Sequence, residues 1–539
     1  MTQKTVVQAL ASEYAAHNVR HIFGVPGGGS SLDIIQTAAE LDIEFILTRT
    51  ESAAVTMAAV TAELNGTLGV ALTTKGPGTA SAANGVAYAS LDRSPVLVLT
   101  DGFSTNEQNY VTHQVFDQRD LLAPVTKGHS RLDGDAPVQQ LKTLIKLAMT
   151  PPFGPVHIEL TGEQARASLT SKIDDVSASQ PDGTLDEDAL DRAEQLLKKS
   201  QRPVVIVGLE ARESGAAAAV QALVEALNCP VLTTYKAKGV ISNFNNHYVG
   251  IFTCGSAEVE CIEQADLIIL CGLDPVELLR QPWRYDSPVI DIALVQHPIH
   301  YVTAEVGVYG SLDAHISKLS INEYKKDWSI SEIGKLRNKM RARLECPSTG
   351  GIGPQQVVEL AVKESRILTT LPRITVDAGA HMFSVMAFWP CCEPCDALIS
   401  NGLSTMAFAL PAAIAAALHE PDRAVIAFTG DGGLLMCLGE LSVAAEQEAR
   451  IVVIVFNDKS LSLIDIKQQQ RGLLARGVRW KRPDFAKTME GLGGRGYHVE
   501  TLQDYRIALA EALRGAGPAL IDVSVDPSGY PAQMNALRG

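Results

Sequence analysis

Short runs of β-branched residues alternate with longer stretches rich in alanine and leucine along almost the whole chain of 539 residues. Strands of about four to eight residues separated by helices are typical of parallel sheets that are covered by helices on both faces. The pattern therefore predicts an α/β fold made of doubly wound parallel sheets. The predicted strands are 44–48, 69–73, 95–100, 156–160, 203–207, 266–271, 288–292, 374–377, 424–429, 450–456 and 519–525.

Two polar stretches interrupt this alternation, at about residues 162–188 and 322–354. Both are predicted to be linkers because they lack a clear hydrophobic period, although the second has a helical pattern at 333–344. A chain of this length usually forms several domains of about 100–200 residues each. We predict three α/β domains, at residues 1–165, 185–320 and 350–539.

The charge balance disfavours nucleic acid and anionic membranes as partners. The chain has 46 basic and 61 acidic side chains, a net charge of −15 with histidine neutral, and such a surface repels other polyanions. Neither a signal peptide nor a long apolar span is apparent, and nine cysteines in so long a chain suit reduced thiols. We expect a cytoplasmic protein that acts on small molecules.

The most informative motif is Gly430-Asp431-Gly432-Gly433, which directly follows the apolar strand 424–429. Backbone N–H groups where a strand opens into a helix suit phosphate, but a carboxylate repels it unless a divalent cation lies between them. Asp458 follows the next strand, and neighbouring parallel strands end at one edge of their sheet. The two carboxylates can therefore share one ion. The tripeptide alone is equally consistent with a glycine-rich turn capped by an aspartate.

The first domain repeats this arrangement weakly. Gly76-Pro77-Gly78 follows one strand, and the next strand ends in Asp101, 25 residues after Gly76; the corresponding separation from Gly430 to Asp458 is 28 residues. The repeat suggests two related halves that could hold one ligand between them.

The segment 430–458 resembles the signature of thiamine-diphosphate-dependent enzymes, in which Gly-Asp-Gly is followed at a similar spacing by Asn-Asn. The resemblance implies a Mg²⁺ ion bound by Asp431, by Asp458 and by the backbone carbonyl of Ser460. Asp458 stands where the second Asn is usual, which keeps an oxygen ligand and adds a negative charge.

Residues 401–414 resemble the acetolactate-synthase branch of that family. The resemblance implies that Met406 wedges beneath the cofactor and bends it, and that the carbonyl of Ser404 holds its 4′-amino group. Without the neighbouring motif, Met406 would be interpreted as a core methionine of an alanine-rich helix. Residues 377–383, with Gly379 and His381, match the loop that helps to bind the diphosphate.

Glu51 stands at the predicted start of a helix whose residues 53–62 are almost all apolar or small. A glutamate there is usually a surface residue favoured by the helix dipole, but one that enters an apolar region needs a partner. The resemblance supplies the pyrimidine ring of thiamine diphosphate, with which Glu51 would share a proton as the catalytic acid–base.

Residues 23–29, Phe-Gly-Val-Pro-Gly-Gly-Gly, look like the family loop that overhangs the thiazolium ring. Pro26 would contact the cofactor there. Gly28 matches acetolactate-synthase-like proteins and would let substrate approach closely. Ser30 or Ser31 could reach the substrate with a hydroxyl, and a purely structural role for both is equally compatible with the sequence.

The loop after Asp101 resembles the stretch that carries a Phe-Gln pair facing the neighbouring subunit's cofactor. Gln114 matches the Gln, whereas His113 replaces the Phe and could act as an acid–base or lie on the surface. Lys467 stands where acetolactate synthases have a Trp that shapes the acceptor pocket. Lys75 is either a cation near an anionic substrate or a surface lysine.

The resemblance implies a homodimer or homotetramer that decarboxylates a 2-oxo acid and joins the product to an acceptor aldehyde or ketone. A decarboxylase or C–C lyase that releases an aldehyde is the first alternative, and a nucleotide-binding protein without catalysis is the second. FAD is not expected, because residues 272–277 read Gly-Leu-Asp-Pro-Val-Glu where flavin-binding relatives carry an arginine. The donor's side chain and the acceptor stay open.

Overall fold

The computed structural model describes residues 4–133, 136–169, 186–278, 282–319 and 326–539. These residues form three six-stranded sheets, and every strand pair in them is parallel. The predicted α/β class with three doubly wound parallel sheets is confirmed.

All eleven predicted strands are present. The strands are β1 His21–Val25, β2 Glu44–Leu47, β3 Gly69–Thr73, β4 Val96–Asp101, β5 His129–Ser130, β6 Val156–Leu160, β7 Pro203–Val207, β8 Val231–Thr233, β9 Tyr248–Ile251, β10 Leu267–Cys271, β11 Val289–Ala293, β12 Val306–Tyr309, β13 Arg373–Val376, β14 Ala397–Ile399, β15 Val425–Gly430, β16 Ile451–Asn457, β17 Arg495–Val499 and β18 Ala519–Ser524. Sequence reasoning missed seven of them, and five of those seven (β5, β9, β12, β14 and β17) lie at sheet edges. Edge strands need fewer apolar residues because one side has no strand neighbour, so their pattern is weaker.

The helices connect successive strands. They are α1 Val6–Ala16, α2 Ser30–Ala39, α3 Glu51–Asn65, α4 Pro77–Leu91, α5 Thr105–Gln108, α6 Gln118–Leu122, α7 Pro137–Ala148, α8 Gly162–Arg166, α9 Glu187–Lys199, α10 Ser214–Leu227, α11 Val259–Ile262, α12 Leu312–Lys318, α13 Ile330–Arg343, α14 Pro354–Ser365, α15 His381–Phe388, α16 Ala409–His419, α17 Asp431–Met436, α18 Glu440–Glu446, α19 Ser462–Gln470, α20 Phe485–Gly491, α21 Leu502–Arg514 and α22 Tyr530–Arg538. Short 3-10 helices lie at Ala123–Val125, Leu209–Arg212, Pro275–Glu277 and Pro527–Gly529.

The first and third sheets have the same strand order. The first runs β2-β1-β3-β4-β6-β5 and the third runs β14-β13-β15-β16-β18-β17. Counted from its own first strand, each sheet therefore has the order 2-1-3-4-6-5. The two Gly-x-Gly turns follow the third strand of each sheet, and the two acidic strand ends belong to the fourth, so the weak internal repeat has a structural basis.

The central sheet has a different order, β12-β11-β10-β7-β8-β9. Counted from its own first strand, this is the order 3-2-1-4-5-6 of nucleotide-binding α/β folds, read from the opposite edge. The order reverses between β7 and β10, which are neighbours. In such sheets, ligands bind beyond the carboxyl ends of the strands at that reversal.

The chain divides into two compact units. The first comprises residues 1–180, 402–421 and 437–449, and the second comprises residues 181–401, 422–436 and 450–539. Strands β1–β6 belong to the first unit, with α16 and α18, whereas β7–β18 belong to the second. Each unit has its own apolar core, built from the buried faces of its sheets and helices.

The two predicted linkers contain helices. Residues 162–166 form α8, and residues 170–185 lie outside the described residues. The helical pattern at 333–344 corresponds to α13, which starts earlier because Ser329 and Glu332 form a capping box. The three domain boundaries stay predictions.

Within the described part of the chain, no helix is both long enough and apolar enough to span a membrane.

Candidate active site

The acidic pair lies at the carboxyl edge of the third sheet, as predicted. Strands β15 and β16 are neighbours, with Gly430 opposite Phe456, so Asp431 and Asp458 leave the sheet side by side. Asp431 is 2% exposed. Burial and the adjacent charge of Asp458 raise the pKa of Asp431 to about 7, and burial raises the pKa of Asp458 to about 6.

Backbone geometry fixes the Asp431 carboxylate. Its Oδ1 accepts a hydrogen bond from Gly432 N (2.9 Å), and its Oδ2 accepts one from Lys459 N (2.8 Å). Lys459 has a left-handed backbone with φ +63°, which turns the chain back over Asp431. Ser460 follows this bend and is partly buried. The structure thus brings together the three residues predicted to hold a metal ion.

His381 lies beside this acidic pair on the same sheet. It is the first residue of α15, is 3% exposed and stacks on Phe456 with ring centroids 5.2 Å apart. Burial lowers the pKa of His381 to about 4, so the ring is neutral. Its Nε2 is buried and has no hydrogen-bond partner among the described residues, which indicates room for a ligand atom there.

Glycines surround the His381 ring and leave room that a side chain would fill. A Cβ at Gly379 would lie 2.6 Å from the His381 ring, and one at Gly430 would lie 3.4 Å from it. A Cβ at Gly433 would lie 2.2 Å from Oδ2 of Asp377, and that carboxylate accepts a hydrogen bond from Thr429 (2.9 Å). The predicted diphosphate residues therefore pack closely together where the segments after β13 and β15 meet. Asp377 joins these two segments through its hydrogen bond with Thr429.

Glu51 is the first residue of α3, as predicted, and Thr50 caps this helix by accepting from Ala53 N. Residues 53–62 are all buried, whereas Glu51 itself is only partly buried. Its Oε1 would lie 3.3 Å from a Cβ at Gly78. The Gly-Pro-Gly turn therefore lies against the carboxylate of Glu51, and a larger residue at Gly78 would crowd it.

Glu440, which sequence reasoning missed, holds the start of α3. It is fully buried, and its carboxylate accepts from the backbone N–H groups of Arg49 (3.1 Å) and Thr50 (2.9 Å). Burial raises its pKa to about 7. A buried carboxylate bound to the two residues before Glu51 fixes the direction in which that side chain leaves the helix. The sequence signal for Glu440 is weak: it is an acid ten positions after Gly430, the first residue of the Gly-Asp-Gly motif.

The glycine loop after β1 packs on Asp101. The Oδ1 atom of this buried aspartate accepts from Ser30 Oγ (2.7 Å), Ser31 N (2.8 Å) and Ser31 Oγ (3.0 Å). Both serines are fully buried, so the suggestion that one of them reaches a substrate is wrong and the structural alternative holds. Gly28, in contrast, is exposed and a Cβ there would meet nothing within 4 Å. Pro26 is partly buried in the same loop.

Met406 lies in a loop three residues before α16, and not on the helix as a core methionine would. It is partly buried. Ser404 and Ala407 have φ values of +54° and +67°, a strained conformation that is common where a loop serves a ligand. The loop is anchored within the first unit, since Gly402 N donates to Asp92 Oδ1 (3.3 Å).

His113 and Gln114 are both exposed in the loop before α6. Gln114 has φ +62°, and its backbone lies against Gly76, where a Cβ would be 2.7 Å from the Gln114 carbonyl oxygen. Lys75 lies over the Phe103 ring, 4.1 Å from its centroid. This contact joins the turn after β3 to the loop after β4. Lys467 is exposed on α19.

Gln118 ties this loop to the sheet, a role that sequence reasoning missed. It is 5% exposed; its Oε1 accepts from Gly76 N (3.1 Å), and its Nε2 donates to Glu159 Oε2 (3.1 Å). The loop that bears His113 and Gln114 is therefore fixed at its far end to the Gly-Pro-Gly turn beside Glu51.

Comparison with known proteins agrees with this arrangement across the chain. Three models of the thiamine pyrophosphate enzymes match it: the N-terminal TPP binding domain at residues 4–121, the central domain at 190–319 and the C-terminal TPP binding domain at 377–523. These ranges contain Glu51, the central sheet and the acidic pair, respectively.

Similar curated proteins span nearly the full length of the chain. An acetolactate synthase of Bacillus subtilis (strain 168) is 26% identical over 98% of this chain and 95% of its own. A catabolic acetolactate synthase of Raoultella terrigena is 26% identical over 98% and 96%. The large subunit of acetolactate synthase isozyme 3 of Escherichia coli (strain K12) is 29% identical over 96% and 94%. The chain therefore belongs to the thiamine pyrophosphate enzymes and is similar to their acetolactate synthases.

Proposed function

We propose that this enzyme uses thiamine diphosphate and Mg²⁺ to decarboxylate a 2-oxo acid and to join the remaining acyl fragment to an acceptor aldehyde or ketone. The family assignment and the similar acetolactate synthases support this reaction class. The observation that carries the metal and cofactor assignment is the close pairing of Asp431 with Asp458.

The residues present fit the cofactor's diphosphate end. Two adjacent carboxylates whose burial opposes ionisation favour a divalent cation. Next to them, the charge of a bound phosphate would favour the protonated form of His381, whose unpartnered Nε2 would then donate to a phosphate oxygen. Asp431, Asp458 and the carbonyl of Ser460 would hold Mg²⁺, and Gly379, Gly430, Gly432 and Gly433 would leave room for the diphosphate.

Glu51, Met406, Ser404 and Pro26 are the residues that we infer to act on the other end of the cofactor. The bound cofactor supplies the carbanion chemistry that a protein side chain cannot provide. Glu51 would share a proton with the pyrimidine ring, its direction set by Glu440. Met406 would press against the cofactor, the Ser404 carbonyl would accept from its amino group, and Pro26 would line the same space.

The substrate would enter over Gly28, where the open space leaves room for a small carboxylate. Gln114 and His113 are proposed to face substrate from a neighbouring chain, because both are exposed on a loop that Gln118 fixes in place. A homodimer or homotetramer, a cytoplasmic location, independence from FAD and the three predicted domain boundaries belong to the same proposal.

Mg²⁺ affinity is expected to fall at acid pH. The raised pKa values mean that the folded, metal-free protein keeps protons on Asp431 and Asp458 after the unfolded chain has lost them. This contribution to stability is complete below pH 3.8, the ordinary pKa, and is lost as the pH rises through the values of about 6 and about 7. Mg²⁺ replaces those protons, so its stabilising effect grows over the same interval.

Thermal unfolding with and without Mg²⁺, measured from about pH 5 to about pH 8, tests this linkage. Mg²⁺ alone is used first, because the diphosphate of the cofactor titrates as well. Asp458→Asn is the matched control, since it removes one of the two protons and should flatten the pH dependence. A Mg²⁺ effect that does not change with pH in the wild type would contradict proton competition at this pair.

Product analysis tests the proposed reaction. The enzyme, supplied with Mg²⁺ and thiamine diphosphate, is incubated with aliphatic, aromatic, hydroxylated, sulfonated and phosphonated 2-oxo acids, and CO₂, aldehyde and acyloin products are measured. We expect CO₂ with a carboligation product. Aldehyde alone would establish the decarboxylase alternative, and no consumption of any 2-oxo acid would count against both. Addition of FAD should leave the rate unchanged.

A further inference from the structure

Three side chains converge at the carboxyl edge of the central sheet, and none of them belongs to the proposed thiamine-diphosphate site. Glu210 follows β7, Asp274 follows β10 and His297 follows β11. Because β7 and β10 are the neighbours between which the strand order reverses, the three residues lie where folds of this kind bind ligands.

Their geometry suits a metal ion. One ligand atom from each residue lies within 4.8 Å of the others. His297 Nε2 is 3.1 Å from Glu210 Oε1 and 4.0 Å from Asp274 Oδ2. Atoms that each bind one Zn²⁺ at about 2.0–2.2 Å lie about 3–4 Å apart, so only small shifts are needed. The side chains of Glu210, Asp274 and His297 are 4%, 0% and 5% exposed.

Asp291 is a fourth buried acid in this part of the sheet, and one of its oxygens has no hydrogen-bond partner among the described residues. It lies on β11 and is 5% exposed. The charges of Glu210 and His297 both act on the pKa of this carboxyl, which burial raises to about 6, and its hydrogen bond with the Tyr309 side chain leaves Oδ1 unpaired. An unpaired buried carboxylate oxygen is costly, and the positive charge of a nearby cation would offset that cost.

The surrounding charge favours a cation over a phosphate. Glu277 is 5% exposed; burial, with the nearby charge of Asp274, raises its pKa to about 8. Its oxygens accept from Thr234 Oγ1 (2.6 Å) and Leu209 N (2.8 Å). A carboxyl with this pKa is mostly protonated at neutral pH, so the negative charge comes from Glu210, Asp274 and Asp291, and the charge of Arg212 opposes it. A dinucleotide phosphate would be repelled there, whereas a divalent cation would relieve the repulsion.

We propose that Glu210, Asp274 and His297 bind one divalent transition-metal cation, and that the negative charge of Asp291 favours its binding. One imidazole and several carboxylates suit Zn²⁺ better than Mg²⁺, which prefers oxygen ligands alone. The ion would join the segments that follow β7, β10 and β11 and would therefore stabilise the central sheet independently of the thiamine-diphosphate site.

Zn²⁺ titration of the chelator-treated full-length protein, followed by calorimetry and thermal unfolding, tests this proposal. We expect a site that saturates at one ion per chain and raises the unfolding temperature. Asp274→Asn keeps an oxygen to accept from Val276 N, as Asp274 Oδ1 does now, and should weaken Zn²⁺ binding about tenfold or more. His297→Gln should act in the same direction.

Two matched controls locate the ion. Glu305→Gln removes an exposed acid from the same sheet region, and Asp431→Asn removes the proposed Mg²⁺ ligand; both should retain the Zn²⁺ site. Absence of wild-type binding would overturn the proposal, whether or not the variants fold. Wild-type binding that survives Asp274→Asn and His297→Gln would overturn it as well, because the ion would then lie elsewhere, for example at the cysteines of residues 391–395.

Discussion

Replacement of Glu51 by glutamine is expected to lower kcat for 2-oxo acid consumption by about 10²–10⁴-fold, the range for loss of a general acid–base. Glutamine has the same shape, and Thr50 would still cap the helix. What is lost is the ability of the carboxyl group to hold and release a proton. Steady-state CO₂ release measures the effect, and the thermal shift with Mg²⁺ and thiamine diphosphate reports cofactor binding separately.

Two variants sharpen this experiment. Glu51→Asp keeps the carboxyl group but shortens its reach, and should recover part of the activity that Glu51→Gln loses. Glu40→Gln removes an exposed glutamate from the same unit and should behave as the wild type. If Glu51→Gln retained kcat within about fivefold, the proton-transfer role would be wrong, because general acid–base groups contribute far more than that.

Asp431→Asn is expected to weaken Mg²⁺-dependent binding of thiamine diphosphate by about 100-fold or more, since residues that only support a metal ligand already contribute about 10–100-fold. The asparagine keeps one oxygen to accept from Gly432 N but turns an amide N–H₂ towards Lys459 N, where the aspartate now accepts. Both the charge and the geometry are therefore lost. Calorimetric titration with the cofactor at saturating Mg²⁺ measures the change.

Asp458→Asn is the matched substitution at the other member of the pair. It restores the residue that the family more often carries, keeps an oxygen ligand and removes the charge that raises the pKa of Asp431. Binding of the cofactor should therefore change by less than about tenfold, well below the effect at Asp431. Equal losses at the two positions would show that charge alone, and not the position of each oxygen, determines Mg²⁺ binding.

Much of the fold could be predicted because central parallel strands are buried on both faces. β15 and β16, for example, are continuous apolar runs, and such runs are visible without any structure. The edge strands were missed because they bury fewer side chains and therefore lack a continuous apolar run. β17 has only one fully buried residue, Val499, so that its sequence carries no clear period.

Site residues that directly follow a strand could be predicted from the sequence. Site residues whose hydrogen-bond partners are far away in the sequence could not. Asp431 and Asp458 follow two recognisable strands. Glu440, in contrast, acts on Arg49 and Thr50 about 390 positions away, and no local pattern reports such a contact. The two possible roles of Ser30 and Ser31 could not be separated from the sequence, because their partner, Asp101, is 70 residues from Ser31.

The common strand order of the first and third sheets gives them the same acidic edge position. Asp101 ends the fourth strand of the first sheet, and Asp458 directly follows the fourth strand of the third. In the first sheet, Asp101 fastens a loop through Ser30 and Ser31. In the third, Asp458 lies beside a second carboxylate. One position in one architecture thus serves as a mechanical fastening in the first sheet and as a concentration of negative charge in the third.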